Sequence, residues 1–186
     1  MDAPRTVPTD APRLIVLAGL PGTGKSTMAR ALARATGAVW LRVDRIEASL
    51  LASGIPRSFE TGLAAYVAAR DLAEDHLRLG HQVIIDAVNG VPQARAMWSD
   101  LARACAVDRR VIELVCGDRE VHRRRVSDRP PPTPPLPAPS WEEVVQREYQ
   151  PWDEPVLRVD TRRPEQECLE KVLAYLHGPG ATAAPG

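Results

Sequence analysis

Short apolar runs alternate along this chain with longer segments in which apolar residues recur every three or four positions. The runs have the length and β-branched content of strands that are buried on both faces, whereas the longer segments have the period of amphipathic helices. Strands that alternate with helices in this way are typical of an α/β fold with a parallel sheet. The predicted strands span residues 14–18, 39–43, 83–86, 110–116 and 156–160.

The helices predicted between these strands carry ordinary capping signals. Gly37 can end the first helix, Pro92 suits a first helical turn, and Asp118 and Ser140 can each accept a backbone N–H at a helix start. The predicted helices span residues 25–35, 60–79, 92–104, a short Arg-rich segment after 118, 140–149 and 164–176. The residues expected on the buried side of helix 60–79 are Leu63, Tyr66, Val67 and Leu77.

Joined by right-handed crossovers, these elements make a three-layer sandwich around one five-stranded parallel sheet. We predict a single domain over residues 13–177, with the lid and acceptor region at about 118–150. The segments 1–12 and 178–186 are rich in proline or small residues. We expect both to be disordered tails, because they cannot repay their ordering entropy.

Composition restricts the partners of this domain. Among 186 residues, Lys plus Arg and Asp plus Glu number 24 each, so the formal net charge is zero. The protein as a whole therefore has no excess positive charge to attract nucleic acid or an anionic membrane. Aromatic residues make up only 4%, which leaves few rings for stacking bases. Neither a membrane-spanning run nor a signal peptide is recognisable. Three cysteines without a C-x-x-C pair predict reduced thiols and a cytoplasmic location.

One motif carries specific chemistry. Residues 19–26 match the Walker A pattern G-x-x-x-x-G-K-[ST], and they lie between a predicted strand and a predicted helix. In such a P-loop the glycines let backbone N–H groups face a polyphosphate, and the helix N-terminus adds partial positive charge. Lys25 is one of two lysines beside 22 arginines, and its slim ammonium suits the outer phosphates. A glycine-rich turn without a ligand is the alternative.

The motif assigns a role to each residue along the loop. Ser26 is expected to ligate magnesium, and Thr27 can contact the inner phosphate. The residues predicted to bind the nucleotide are Leu20, Pro21, Gly22, Thr23, Gly24, Lys25, Ser26 and Thr27.

Two aspartates end predicted strands at the edge where parallel sheets bind ligands. Asp44 can face the terminal phosphate and accept a proton from a hydroxyl nucleophile. Asp86 can hold magnesium through a water or orient the acceptor. Asn89 in the following loop and Arg45 beside Asp44 are further candidates for substrate binding. Turn and cap residues are the alternative, because Asp and Asn are common at such positions.

Residues 119–129 form the densest basic patch of the chain. Arg125 and Arg129 are four positions apart, so one helical face can carry both towards a phosphate. A merely solvated basic face is the alternative. The proline-rich segment 130–139 is expected to be extended, and it either borders the acceptor or docks a partner.

Together these motifs resemble the small P-loop kinases of the AAA-type group. That group includes phage-type polynucleotide 5′-hydroxyl kinases, chloramphenicol phosphotransferase, zeta-toxin kinases and, more distantly, gluconate and shikimate kinases. The resemblance covers about residues 13–129 and continues loosely to 176. It rests on the P-loop, Val43-Asp44-Arg45, Asp86-Ala87-Val88-Asn89, Pro92, Arg95 and the Arg-rich helix.

The resemblance implies a strand order of 2-3-1-4-5 and an adenine site near residues 160–162. It also implies Asp44 as general base, Lys25 and Ser26 as phosphate and magnesium anchors, and two lid arginines that neutralise the transferring phosphoryl group. Those lid arginines are Arg125 and Arg129.

One departure from the group bears on the acceptor. Polynucleotide kinases place an arginine three residues after the catalytic aspartate, where this chain has Glu47. A carboxylate at that position repels a nucleic-acid backbone.

We therefore predict a phosphotransferase that uses Mg²⁺ and ATP or GTP to phosphorylate a hydroxyl of a small molecule. Analogy with chloramphenicol phosphotransferase and a GC-rich, producer-like composition suggest an antibiotic acceptor and a role in self-resistance. A polynucleotide 5′-hydroxyl kinase and a non-catalytic nucleotide-binding module are the alternatives. Nucleic-acid and membrane partners are not expected, and both a monomer and a homodimer stay open.

Overall fold

The structure, a computed structural model, describes residues 11–128 and 138–178. Its strands are β1 Arg13–Ala18, β2 Val39–Arg42, β3 Val83–Asp86, β4 Asp108–Val115 and β5 Leu157–Asp160. They pair in parallel in the spatial order β2-β3-β1-β4-β5. The predicted α/β class and the strand order are confirmed. The predictions for residues 1–10, 129–137 and 179–186, Arg129 among them, lie outside the described residues.

Within the described residues, six helices lie between the strands and a seventh follows the last strand. They are α1 Lys25–Thr36, α2 Val43–Ala52, α3 Phe59–Arg78, α4 Pro92–Ala104, α5 Arg119–Ser127, α6 Trp141–Gln146 and α7 Glu165–His177. Asp118 and Ser140 cap α5 and α6 as predicted, by accepting the N–H groups of Val121 and Glu143. In the described part of the chain, no helix is long and apolar enough to cross a membrane.

Alternate residues of the central strands feed two separate hydrophobic clusters. Leu14 and Val16 of β1 face the cluster that packs against α3 and α4. Ile15 and Leu17 face the other cluster, which packs against α1 and α7. All four side chains are fully buried. The sheet is therefore covered on both sides, which explains why its strands are apolar throughout.

Helix α2 corrects the sequence analysis, which extended the second strand to residue 43 and predicted no helix behind it. Val43, Ile46 and Leu50 recur at helical spacing, and they pack against the cluster beneath α3. No glycine or proline separates the apolar run of β2 from this pattern, so the sequence carries no turn signal at the boundary between strand and helix.

The buried face of α3 also differs from the prediction. Its stripe is formed by small residues at intervals of four, Ala65, Ala69 and Ala73, and it ends at Leu77. Leu63 was expected to be buried, yet it is 45% exposed. Alanines let α3 lie close to its neighbours, so the larger apolar residues of the first turns are left on the other side.

Candidate active site

The P-loop joins β1 to α1, and glycines at positive φ hold its shape. Gly19 has φ 138°, and a Cβ there would lie 2.3 Å from the carbonyl oxygen of Leu114. Gly24 begins α1 in the left-handed region at φ 89° and contributes no side-chain cap. The first N–H groups of α1 are therefore presented to a ligand, together with the partial positive charge of the helix N-terminus.

Lys25 lies folded against this loop. It is 8% exposed, and its ammonium donates to the carbonyl oxygen of Leu20 at 3.0 Å. Thr23 Oγ1 donates to the same oxygen at 2.8 Å. Leu20 and Thr23 thus shape the loop from within. The predicted residues that line a first cavity of about 510 Å³ are Pro21, Gly22, Gly24, Lys25, Ser26 and Thr27.

Helix α5 packs against the opposite side of the P-loop. The Nε2 of buried His122 lies 2.8 Å from the carbonyl oxygen of Pro21, and its ring meets the Trp141 ring edge-on at 5.2 Å. This contact fixes the distance between the basic helix and the loop. Sequence analysis did not find it, because a lone histidine inside an Arg-rich run carries no spacing signal.

Arg125 reaches the first cavity from α5. Its Nη1 donates to Thr161 Oγ1 at 2.7 Å, and its Nη2 donates to the Thr161 carbonyl oxygen at 2.8 Å. Thr161 in turn donates to the carbonyl oxygen of Thr23 at 3.0 Å. The guanidinium, the loop after β5 and the P-loop are therefore tied together around one cavity.

Asp86 ends β3 directly beside the P-loop strand, and it is 4% exposed. Its Oδ2 accepts from Trp40 Nε1 at 3.3 Å and lies 3.7 Å from Arg42 Nε. Burial raises the pKa of the Asp86 carboxyl, against the lowering effects of the Lys25 ammonium and the Ser26 hydroxyl. Asp86 interacts with the Ser26 hydroxyl and does not line the first cavity.

Ser26 and Asp86 fit the requirements of a magnesium ion. A hydroxyl and a buried carboxylate that interact with each other beside the P-loop are hard oxygen donors, which Mg²⁺ prefers. Magnesium usually keeps several waters and takes its remaining ligands from phosphate oxygens. Two protein groups are therefore sufficient for such a site.

Asp44 owes its position to the direct junction of β2 with α2. It lies in the first turn of α2, not at the end of a strand as predicted. Its exposed side chain lines the first cavity and also a second cavity on its other side. A carboxylate at such a boundary can exchange a proton with a group that enters from the second cavity.

The second cavity has a volume of about 780 Å³ and lies between α2, α3, α4 and the chain on both sides of α6. Its apolar lining includes Phe59, Leu63, Tyr66, Val91 and Met97. Its charged lining includes Asp44, Glu47 and Glu148 together with Arg45, Arg57 and Arg147. Arg45, a predicted substrate contact, therefore lines this cavity.

Glu47 is the partly buried carboxylate of the second cavity. Burial and the neighbouring Asp44 carboxylate raise the pKa of Glu47, whereas Arg57 and Arg147 lower it. The position three residues after Asp44 thus faces the same cavity as Asp44 itself.

Asn89 was predicted to contact the substrate, but its side chain is used inside the protein. It is fully buried, its Nδ2 donates to the carbonyl oxygen of Leu17 at 2.9 Å, and its Oδ1 accepts from Trp98 Nε1 at 2.8 Å. Its backbone has φ 51°, a conformation that asparagine tolerates better than most residues. Asn89 lines neither cavity and instead fixes the turn after β3.

Arg95 of α4 holds the far wall of the second cavity. Its guanidinium donates to four backbone carbonyl oxygens and lies 3.9 Å from the centre of the Trp152 ring. Two of the acceptors follow β3 and two follow α6, so the guanidinium ties these loops together. The acceptors are the carbonyl oxygens of Asn89, Gly90, Gln150 and Pro151.

A family model described as an AAA domain matches residues 14–150. Among curated proteins, an uncharacterised protein of Mycobacterium tuberculosis is 36% identical over 118 residues, which are 56% of this chain and 23% of that protein. An uncharacterised protein of Mycobacterium bovis matches with the same figures. This chain therefore spans about a quarter of the length of the curated relatives it matches.

Several solved structures share the fold at low sequence identity. A sugar kinase from Janibacter superposes with a TM-score of 0.67 and 21% identity, over 90% of this chain and 95% of that one. A gluconokinase from Sinorhizobium meliloti gives 0.66 and 20%, over 89% and 91%. The Mycobacterium tuberculosis APS kinase in complex with AMPPNP and APS gives 0.67 and 16%, over 90% and 99%. These likenesses establish the fold of the small P-loop kinases.

Proposed function

Because the chain belongs to the AAA domain family and has a P-loop kinase fold, we propose that it is a phosphotransferase dependent on a nucleoside triphosphate and Mg²⁺. It transfers the γ-phosphoryl group of ATP or GTP to a hydroxyl of a small molecule. The first cavity holds the nucleotide, and the second cavity holds the acceptor.

The placement of Asp44 is the observation that carries this proposal. A phosphotransferase needs a base beside the attacking hydroxyl and close to the terminal phosphate. Asp44 lines the P-loop cavity and the second cavity at once, as do Pro21 and Val88. It is the carboxylate common to both linings among the described residues, so it stands where the two substrates would meet.

In the proposed reaction, Asp44 accepts the proton of the acceptor hydroxyl as its oxygen attacks the γ-phosphorus. A bond forms between that oxygen and phosphorus, the bond from phosphorus to the β,γ-bridging oxygen breaks, and the nucleoside diphosphate leaves with the electron pair. Lys25, the N–H groups of α1 and Arg125 balance the phosphate charge. Magnesium, held by Ser26 with Asp86 behind it, would neutralise further phosphate charge when bound.

A small acceptor is favoured over a polynucleotide end. The second cavity has the volume of a small-molecule site, about 780 Å³, and its described lining contains three carboxylates, four arginines and several apolar side chains. The position three residues after Asp44 is occupied by Glu47, where polynucleotide kinases place an arginine, and among the described lining residues only Phe59 and Tyr66 carry rings on which bases could stack. An antibiotic is one acceptor class, supported by the resemblance to chloramphenicol phosphotransferase. We place the protein in the cytoplasm, which supplies the nucleotide and keeps the three free cysteines reduced.

The decisive test is an acceptor screen read by mass spectrometry as the gain of one phosphate, combined with the substitution Asp44→Asn. We expect the variant to bind ATP or GTP with nearly unchanged affinity in calorimetry, while turnover falls by about 10²-fold or more because the proton acceptor is gone. Asp100→Asn, at an exposed position of α4, is the matched control and should keep full turnover.

Two outcomes would contradict the proposal. Equal turnover by Asp44→Asn removes this carboxylate from the reaction. Tight nucleotide binding without diphosphate formation across a broad panel of hydroxyl compounds points instead to a non-catalytic nucleotide-binding module.

A further inference from the structure

The second cavity exposes more apolar surface than a polyol acceptor requires. Phe59 is 80% exposed and Leu63 is 45% exposed, and both line this cavity from the first turns of α3. Tyr66 lies one turn further along α3, and Met97 of α4 also contributes to the wall. Single exposed apolar residues are ordinary, but several that line one concave surface mark a site for an apolar ligand.

A sugar would be a poor occupant of such a wall. Each hydroxyl of a bound polyol needs a hydrogen-bond partner, because burying it without one costs free energy. Phe59, Leu63 and Met97 offer none. A ring-sized apolar body gains free energy from the same contacts in proportion to the area that it buries.

The charged groups of this cavity leave positive charge on one side. Arg57 and Arg147 both act electrostatically on Glu47, and within the described residues neither guanidinium has an ion pair or a side-chain hydrogen bond. Glu148 Oε1 already accepts from Gln150 Nε2 at 2.7 Å. Glu47 thus lies among the Arg57 and Arg147 guanidinium groups and the Asp44 carboxylate, and the described lining as a whole carries four arginines against three carboxylates. An anionic group of a ligand could pair with the Arg57 and Arg147 guanidinium groups.

We propose that the acceptor is an amphipathic hydroxy compound with a ring-sized apolar body and one anionic group. Phe59 and Leu63 contact the body, Arg57 and Arg147 bind the anion, and the hydroxyl lies against Asp44. This identity of the acceptor rests on the proposed phosphotransfer, whereas the chemistry of the pocket can be measured without it. The cavity volume of about 780 Å³ accommodates a molecule of this kind.

A pair of fluorescent dyes separates the two features of the pocket. Anilinonaphthalene sulfonate has an apolar aromatic body and one anion, and phenylnaphthylamine has the same body without the sulfonate. Both are titrated into the folded protein in the presence of saturating ADP, which keeps them out of the first cavity. We expect one site, with the sulfonate dye bound about tenfold more tightly than the neutral dye.

Substitutions then assign that site. Phe59→Ala should weaken both dyes by about tenfold, because it removes apolar contact area. Arg147→Ala should weaken only the sulfonate dye and bring it level with the neutral one. The matched controls are Leu79→Ala and Arg103→Ala, at exposed positions away from the cavity, and they should change neither affinity. Equal binding of the two dyes, or no effect of Phe59→Ala, would overturn the inference.

The acceptor screen separates failure here from failure of the proposed function. Hydroxymethylbenzoic acid, benzyl alcohol and sorbitol are compared as acceptors, and we expect the acid to have the highest kcat/KM. Preference for sorbitol would refute the amphipathic acceptor and leave the phosphotransferase standing. The expected dye pattern without phosphorylation of any compound would refute the phosphotransferase, while the chemistry inferred for the pocket would stand.

Discussion

Replacing Arg95 with alanine should loosen the far wall of the second cavity and leave the nucleotide site in place. Arg95 is 6% exposed, and its guanidinium joins the loop after β3 to the loop after α6 through four carbonyl oxygens. Among the described residues, the carbonyl oxygens of Asn89, Gln150 and Pro151 have no other hydrogen-bond partner, whereas Gly90 O also accepts from Gln150 N at 2.8 Å.

The expected loss in the free energy of unfolding depends on how far water can reach each carbonyl group that Arg95 releases. Asn89 is fully buried, so its orphaned carbonyl costs about 2 kcal/mol. Gln150 and Pro151 are exposed residues whose carbonyls water can reach, so each loses less than about 1 kcal/mol. Loss of the contact between the guanidinium and the Trp152 ring adds about 1 kcal/mol to the destabilisation. Removing the buried charge also removes its desolvation penalty, which offsets part of the destabilisation. We expect Arg95→Ala to lower the free energy of unfolding by about 3 kcal/mol.

Urea denaturation and binding measurements test this prediction together. The nucleotide Kd should change less than twofold, and the KM of an acceptor should rise because Arg147 and Glu148 adjoin the released loop. Arg103→Ala, on the exposed face of the same helix, should stay within about 0.5 kcal/mol of the parent protein. A loss below about 1 kcal/mol for Arg95→Ala, or an equal rise in nucleotide Kd and acceptor KM, would refute the reasoning.

Two further substitutions probe the P-loop and the loop after β5. Gly19→Ala should destabilise the protein by more than about 3 kcal/mol in urea denaturation, because the added Cβ would lie 2.3 Å from Leu114 O. The control Gly62→Ala, in the open interior of α3, should stabilise the protein by about 0.5 kcal/mol. Equal stability of the two variants would contradict the loop geometry. Hydrogen bonds from Arg162 lower the pKa of Asp160 from 3.8 to about 2, so this carboxylate contributes stability that is complete above pH 4 and is lost as the pH falls through 2. Asp160→Asn should therefore unfold more easily than the parent at pH 7 and equally easily below pH 2, and parallel stability curves over that range would exclude the effect.

Patterns that are local in the sequence predicted most of the fold. The apolar strands, Gly37 at the end of α1, Pro92 at the start of α4 and the caps Asp118 and Ser140 each depend on a few neighbouring residues. Helix α2 was missed because no turn residue separates it from β2. Leu63 was misplaced because small alanines, not large apolar residues, form the buried stripe of α3.

In the candidate site, too, local motifs were predictable from the sequence, whereas contacts between distant segments were not. The P-loop residues form one continuous motif, so the sequence alone predicts them as a nucleotide site. The roles of Asn89 and Arg95 depend on carbonyl groups from distant segments, such as those of Leu17 and Pro151. No local sequence pattern predicts these hydrogen-bond partners. The apolar character of the second cavity likewise arises from α3, α4 and the chain around α6, which meet only in the folded protein.

Because Arg95 fastens the segment after α6 through main-chain atoms, that segment is held whatever side chains it carries. The exposed residues 147 and 148, which line the second cavity next to these anchored carbonyl groups, can diverge during evolution at little cost to the sheet or to the P-loop. One scaffold can therefore acquire new specificities by exchanging a short stretch of chain, and directed libraries aimed at this stretch should yield altered acceptor preferences while the phosphate donor is kept.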